Sequence, residues 1–334
     1  MYELLGICLV LAALLSINAL VSLGMAACAP LLRRPLQGRS ARTRAQILFA
    51  LRVSPAVLAL LSVALFLVPS YVGYEPYGTS EIVSKKLAGL AILSALGVTF
   101  ALWRALRSWF ATRKLLQEWL AGATRIEIFG TSIPTFRISN SFPIIAVVGA
   151  FKPRLFIAES VLETLTQEEL SAAIAHEGGH LHAHDNLKRS ILRACRDALM
   201  IVPCGRSLER AWAEAAESAA DEHAAQQNAE AALNLASALV KIAKMVPVGA
   251  RAAVPVAAFL LGVEETRGVK ARVRRLLEIA SDGISRRTPN RAMFRMLAAG
   301  SLCGLLLLAV VIASNPIVLL TVHSAIERAV KLLS

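Results

Sequence analysis

Charged side chains are scarce in this 334-residue chain, at 18%, and acids are the scarcer sign, with 23 Asp and Glu against 36 Lys and Arg. With hydrophobic residues at 56%, that balance argues against an ordinary soluble domain and for a chain that meets a bilayer. Cysteine is sparse too. None of the five (Cys8, Cys28, Cys195, Cys204, Cys303) stands in a C-x-x-C pair, which removes the usual thiolate metal and redox motifs and leaves them as small apolar fillers. There is no long linker, low-complexity tract or internal repeat. No signal-peptide cleavage site follows the first apolar segment, so that segment reads as a retained anchor.

Four segments are long and apolar enough to span: about Leu4–Cys28, Val53–Val72, Leu87–Trp103 (near the short limit) and Met293–Ala313. The loop after the first carries Arg33, Arg34, Arg39, Arg42 and Arg44 and no acid, and Arg104, Arg107, Arg113 and Lys114 line the exit of the third. The positive-inside rule then puts the region from about Leu115 to Arg291 in the cytoplasm, although Lys85 and Lys86 flank the loop assigned outside. The formal charge of +13 lies mostly in these flanks and in Arg267–Arg275, Arg286 and Arg287. Basic clusters beside spans suit anionic lipid headgroups, and no direct nucleic-acid binding is expected.

The most specific pattern is H-E-x-x-H, at His176-Glu-Gly-Gly-His180. It lies in a polar helical segment, Thr166–Asp185, opened by a T-x-x-E capping box at Thr166 and Glu169. Helical positions i and i+4 share a face about 6 Å apart, so two neutral imidazoles can ligate one zinc ion. Glu177 is then placed to act as general base on a water at that ion. About 37 residues on, the alanine-rich run from Glu214 to His223 offers a carboxylate to complete the set. Glu217 is preferred over Glu214 because only Glu217 has an Asp, Asp221, at i+4. Asp221 can accept the spare ring N–H of a ligating histidine. The bland alternative is a solvated Ala/Glu helix. His184 would stand about 12 Å along the axis from His176, too far to share the ion, so His182 and His184 are assigned to the polar exit of the helix. Glu222 points elsewhere. His223 reads as a surface histidine, with a hydrogen bond to the reacting centre as its other reading.

Ahead of the motif, Arg125–Phe129 and Thr135–Ser139 alternate with period two. Pro143–Val148 is an apolar run, broken at Gly149–Pro153 and resumed at Arg154–Ala158. This predicts a small antiparallel sheet with a turn near Gly149, whose edge can hold an extended peptide by strand addition. Helical patterning fills Leu187–Met200, Ser207–Gln227, Ala231–Met245 and Val269–Ala280. The expected fold is a mainly α membrane protein: about four transmembrane helices plus an α+β zinc protease domain. Residues 1–110 would hold three spans, 111–291 the protease domain, and 292–334 the fourth span and a short amphipathic tail.

The stretches Phe142-Pro-Ile-Ile-Ala-Val-Val-Gly149, Leu165-Thr-Gln-Glu-Glu-Leu170 and His176-Glu-Gly-Gly-His-Leu-His-Ala-His-Asp185 resemble the core of the BlaR/MecR membrane metallopeptidases. His184-Asp185 match the His-Asp that follows H-E-x-x-H in that family, and Glu217 and Asp221 match its E-x-x-x-D motif. Three spans before the protease domain and one after also fit, so the resemblance covers almost the whole chain. It implies a gluzincin-type endopeptidase, multi-pass in the bacterial inner membrane, with its protease domain cytoplasmic. One zinc ion per chain would be held by His176, His180 and Glu217, with Glu177 as base. The implied partner is a protein substrate such as a transcriptional repressor.

Two features depart from that family. Ile317–Ser334 is too short for the penicillin-binding sensor of its best-known members. Both central motif positions, Gly178 and Gly179, are glycine, at a cost of about 1–2 kcal/mol for the pair in mid-helix; a close packing contact at that face is the expected reason. The heat-shock HtpX type of quality-control metallopeptidase shares both zinc motifs but arranges its spans in pairs around the domain. An intramembrane site-2 protease is disfavoured because Gln167, Glu168, Asp185, Lys188 and Arg189 flank the motif. A non-catalytic receptor scaffold would leave a complete ligand set without a use.

Overall fold

The computed structural model describes residues 2–77, 83–128, 131, 133–149, 152–198, 206–226, 229–246, 266–282 and 304–333. Helix α1 is Tyr2–Gln37, and α2 (Ala41–Ser62) runs through a π-helical turn (Val63–Leu67) into α3 (Val68–Tyr74); α4 is Lys85–Ala121. The stretches Tyr2–Cys28, Ala41–Tyr74 and Lys85–Ala121 are each long and apolar enough to cross a membrane. Pro55 inside α2 cannot donate to the Leu51 carbonyl, and the neighbouring Ser54 hydroxyl donates to it instead at 3.0 Å. The expected fourth span begins at Met293, and residues 293–303 lie outside the described residues. What is described there is α11 (Gly304–Ala313) and α12 (Pro316–Leu333), bent by 75° at the Asn315-Pro316 break, a geometry that suits one broken span or a re-entrant pair.

The sheet corrects the all-antiparallel expectation. Strands β1 (Thr124–Ile126), β2 (Thr135–Ile138), β3 (Ile145–Val148) and β4 (Arg154–Ala158) lie in the order β1-β2-β4-β3. The β1–β2 and β3–β4 pairs are antiparallel, but β2 and β4 run parallel. The β3–β4 hairpin forms as expected, turning at Gly149 with φ 104°, where a Cβ would meet the Lys152 carbonyl oxygen at 2.7 Å. Ile145 to Val148 of β3 and Leu155 to Ala158 of β4 are all buried, so burial alone does not decide which of the two pairs with β2; β4 takes the interior position and β3 the edge beside α6.

Helices α5 (Glu159–Thr164), α6 (Gln167–Ala183), α7 (Asp185–Asp197), α8 (Arg206–Ala225), α9 (Ala229–Met245) and α10 (Thr266–Asp282) follow. The main core joins the sheet (Ile145, Val147, Phe156) to Ala173 of α6, Ala224 of α8, Leu235 and Leu239 of α9 and Leu276 of α10. The capping box of α6 is formed: Thr166 Oγ1 accepts from the Glu169 N–H, and Glu169 accepts from the Thr166 N–H. A second core joins Leu36, Ala45 and Leu48 of the first two helices to Leu192, Leu208, Trp212 and Ala216. Beside it the buried Arg52 of α2 lies 3.6 Å from Glu209 of α8. Helix α8 therefore sits directly on a membrane-span-like helix.

Candidate metal centre and active site

Helix α6 carries His176, Glu177 and His180, and α8 crosses it with Glu217 and Asp221. The crossing is close because Gly179 has no side chain: a Cβ there would stand 3.0 Å from the Ala220 Cα and 3.2 Å from the His223 Cβ. The close contact expected at this face is thus present at Gly179, while nothing lies within 4 Å of a Cβ at Gly178 and nothing in the structure explains that glycine. One ligand atom each from His176, His180 and Glu217 lie within 4.8 Å of one another. Nε2 of His176 is 3.7 Å from Glu217 Oε2, and Nε2 of His180 is 3.5 Å from Glu217 Oε1. A tetrahedral ion with ligands at about 2.1 Å needs edges of about 3.4 Å, close to both.

The other ring nitrogens are already engaged. Asp221 Oδ1 lies 3.0 Å from Nδ1 of His176, and Asp185 Oδ2 lies 2.8 Å from Nδ1 of His180. Each carboxylate fixes its imidazole with Nε2 turned to the shared space, the usual support for a histidine ligand. Glu217 Oε2 is buried and accepts no hydrogen bond from the described residues; Arg272 Nη1 faces it as an ion-pair partner at 3.1 Å. Two imidazole nitrogens and an under-satisfied carboxylate oxygen make a donor set that fits a zinc-like cation.

Glu177 is buried beside this cluster, and its Oε2 accepts from the Val147 N–H of β3 at 3.0 Å. Burial pushes its carboxyl up, against the pull of His180 and His176, which makes it a better proton acceptor near neutral pH. Burial also acts to raise Glu217, but His180, His176 and Arg272 hold that carboxyl well below the usual range. Burial would lower the His180 imidazole; Glu217 and Asp185 outweigh it and push it up to about 10. A cation binding there displaces that proton.

Among the other candidates, Glu214 is exposed and outside the cluster, and Glu222 pairs with Arg275 of α10. His182 and His184 are exposed at the end of α6 as expected. His223 is an exposed residue of α8 whose ring stacks on His182 at 6.2 Å. The edge strand beside α6 is β3; the Val147 N–H is taken by Glu177 and its carbonyl by Asn186 Nδ2 at 3.0 Å, so the backbone groups that strand addition would use are already engaged at that residue.

Residues 134–316, more than half of the chain, match the description Peptidase family M48. The chain belongs to peptidase family M48. The matched stretch contains α6, α8 and α10, hence every side chain of the cluster, and three membrane-span-like helices precede it. This M48 protein is a membrane metallopeptidase. No curated protein matches the chain.

Three contacts of the M48 site cross between elements. Asp185 reaches His180 because His184 adopts a left-handed backbone, φ 55° and ψ 38°, that ends α6 and swings α7 back across it. Asn186, the next residue, clamps Val147. Arg272 of α10 forms a fork on Asp221, Nε to Oδ2 at 3.0 Å and Nη2 to Oδ1 at 2.7 Å. Its signal is present in the sequence: Arg272 falls on the same stripe of α10 as Val269, Val273 and Leu276, where a charge calls for a buried partner.

Proposed function

We propose that this chain is a membrane-anchored zinc endopeptidase that hydrolyses peptide bonds of a protein on the cytoplasmic side of a bacterial inner membrane. His176, His180 and Glu217 hold one zinc ion, Glu177 is the base, and Asp221 orients His176. The observation that carries this reading is the convergence of the three ligand atoms, both histidines braced by carboxylates, beside a buried Glu177. Bound zinc supplies Lewis-acid polarisation of the scissile carbonyl and of the attacking water. Glu177 takes the proton from that water and passes it to the leaving amine. The Val147 N–H holds one carboxylate oxygen in place, which leaves the other for the water. Residues 1–110 form the membrane unit, 111–291 the protease domain and 292–334 the closing span and tail.

The BlaR/MecR-like motifs and the three preceding spans support a regulatory substrate such as a transcriptional repressor. Membership of M48 concerns the peptidase and leaves the substrate class open, so membrane-protein quality control is the second reading. One experiment tests all of this. The full-length Glu177→Gln variant should retain one zinc per chain by mass spectrometry, lose cleavage and trap its substrate in cells, while His180→Ala should lose the metal as well. Accumulation of an intact DNA-binding protein supports the regulatory reading; a range of damaged membrane proteins supports quality control. Cleavage by Glu177→Gln, or wild-type protein purified gently without zinc, would overturn the assignment.

A further inference from the structure

Helix α4 is exposed on every face from Leu102 to Ala111. Up to that point it packs through Leu87, Ala91, Ser94, Gly97 and Ala101; beyond it, Leu116, Trp119 and Leu120 pack against the protease core. The uncovered stretch is nonetheless apolar and aromatic, with Trp103, Leu106, Trp109 and Phe110 each more than half exposed. Arginines alternate with the rings. Arg107 lies over Trp103 at 5.4 Å and Arg113 over Trp109 at 5.5 Å. Neither has a carboxylate partner among the described residues, and no acid occurs between Glu81 and Glu118. Arg104, by contrast, is tied to Asp197 of α7 at 3.1 Å.

Depth decides what covers this stretch. At 1.5 Å per residue, Leu102 lies about 26 Å and Lys114 about 44 Å along the helix from Lys85. A hydrocarbon layer is about 30 Å thick, and 40–45 Å with its headgroups. The aromatic–arginine stretch therefore begins near the acyl boundary, crosses the headgroup layer on the protease side and continues the lipid-facing surface of the span. Aromatic rings and arginines together suit that layer, where rings sit at the acyl boundary and guanidiniums meet phosphate.

We propose that Leu102–Lys114 of α4 is a binding surface for anionic phospholipid in the protease-side leaflet, with Trp103 and Leu106 seated at the acyl boundary and Arg107 and Arg113, flanking Trp109 and Phe110 in the headgroup layer, holding the phosphate. Arg104 and Asp197 connect this surface to α7, the helix that begins with Asp185 and Asn186. The inference rests on α4 as a span and is independent of the peptidase chemistry.

The test uses full-length protein in detergent, titrated with phosphatidylglycerol or phosphatidylcholine and read by native mass spectrometry. Wild type should retain phosphatidylglycerol preferentially, and Arg107→Gln with Arg113→Gln should weaken retention about fivefold per arginine. Brominated phosphatidylglycerol should quench wild-type tryptophan fluorescence, and Trp103→Phe with Trp109→Phe should lose that quenching. Zinc content and thermal midpoint should be unchanged in the arginine variant, which separates failure here from failure of the peptidase reading. If that variant does not fold, the wild type alone decides: its phosphatidylglycerol retention should fall as salt rises. Equal retention of the two lipids, or no effect of the arginine changes or of salt, overturns the proposal. A dimer or a bound nucleic acid lost in the arginine variant would assign the surface to that occupant instead.

Discussion

Gly179 and Ala220 bring the two helices that carry the His176, His180 and Glu217 cluster into backbone contact, since a Cβ on Gly179 would meet the Ala220 Cα at 3.0 Å. Ala220 stands between Glu217 and Asp221, so whatever moves it moves the proposed third ligand. Gly179→Ala should lower thermal stability by about 1 kcal/mol or more, because the overpacking term exceeds the helix-propensity gain. It should also weaken zinc binding. Gly178→Ala, with open space around it, should stabilise by about 0.5–1 kcal/mol. Thermal melts and zinc titration of the two variants check this, and equal behaviour would show that the helix contact is not what the second glycine serves.

Arg272 and Asp221 make a forked ion pair in a buried setting, with Asp221 fully buried. Burial acts to raise the Asp221 carboxyl, and Arg272 and His176 together hold it lowered. Arg272→Met strands that charge, and such losses run to about 3–5 kcal/mol. Arg272→Lys restores a point charge but cannot bridge Asp221 and Glu217 at once. The expected order of thermal midpoints is wild type, lysine, methionine, with zinc affinity following it. A lysine variant as stable as wild type would show that the fork is dispensable.

The parts of this site that follow one helix were legible in the sequence; those that cross between elements were not. His176, Glu177 and His180 lie within one helix, and Glu217 and Asp221 within another, so the helical period alone groups each set. The first three spans announce themselves as apolar runs, and the capping box marks the start of α6. Asp185 escapes that reading because it reaches back across a left-handed His184, a conformation no periodic pattern encodes. Arg272 looks like one more cation in a basic run until α10 is folded onto α8. The sheet order is a choice between long-range pairings, and the apolar runs of β3 and β4 look alike in sequence and are equally buried.

Asn186 ties α7 to the edge strand by donating to the Val147 carbonyl, and the N–H of the same residue holds Glu177. Asn186→Ala should therefore reduce kcat more than it raises KM, since it loosens the proposed base and leaves the proposed zinc ligands alone. Loss of a positioned general base costs about 10²–10⁴ in rate, and a loosened one should fall short of that, by about tenfold. Zinc content should stay at the wild-type level. An unchanged kcat, or a loss of zinc, would remove Asn186 from this role.

Glu169 gives a pH-dependent prediction away from the metal. It accepts from Ser237 Oγ at 2.6 Å and Lys241 Nζ at 2.7 Å, both on α9, as well as from the Thr166 N–H at 2.9 Å. Burial acts to raise its carboxyl, but Lys241, Ser237 and Thr166 outweigh it and the net direction is down. A carboxylate lowered on folding stabilises fully above its unfolded value, about 4.3, and the contribution is lost as pH falls through the folded value. Glu169→Gln keeps the capping bond, since glutamine also serves there, and removes only the charge facing Lys241. Its thermal midpoint should lie below wild type at pH 7 by the equivalent of about 1 kcal/mol, because Lys241 is partly open to solvent and screening. The gap should narrow steadily below about pH 4.3 as wild-type Glu169 takes up its proton. A gap that stays constant or widens on acidification would show that the α6–α9 link does not depend on this charge.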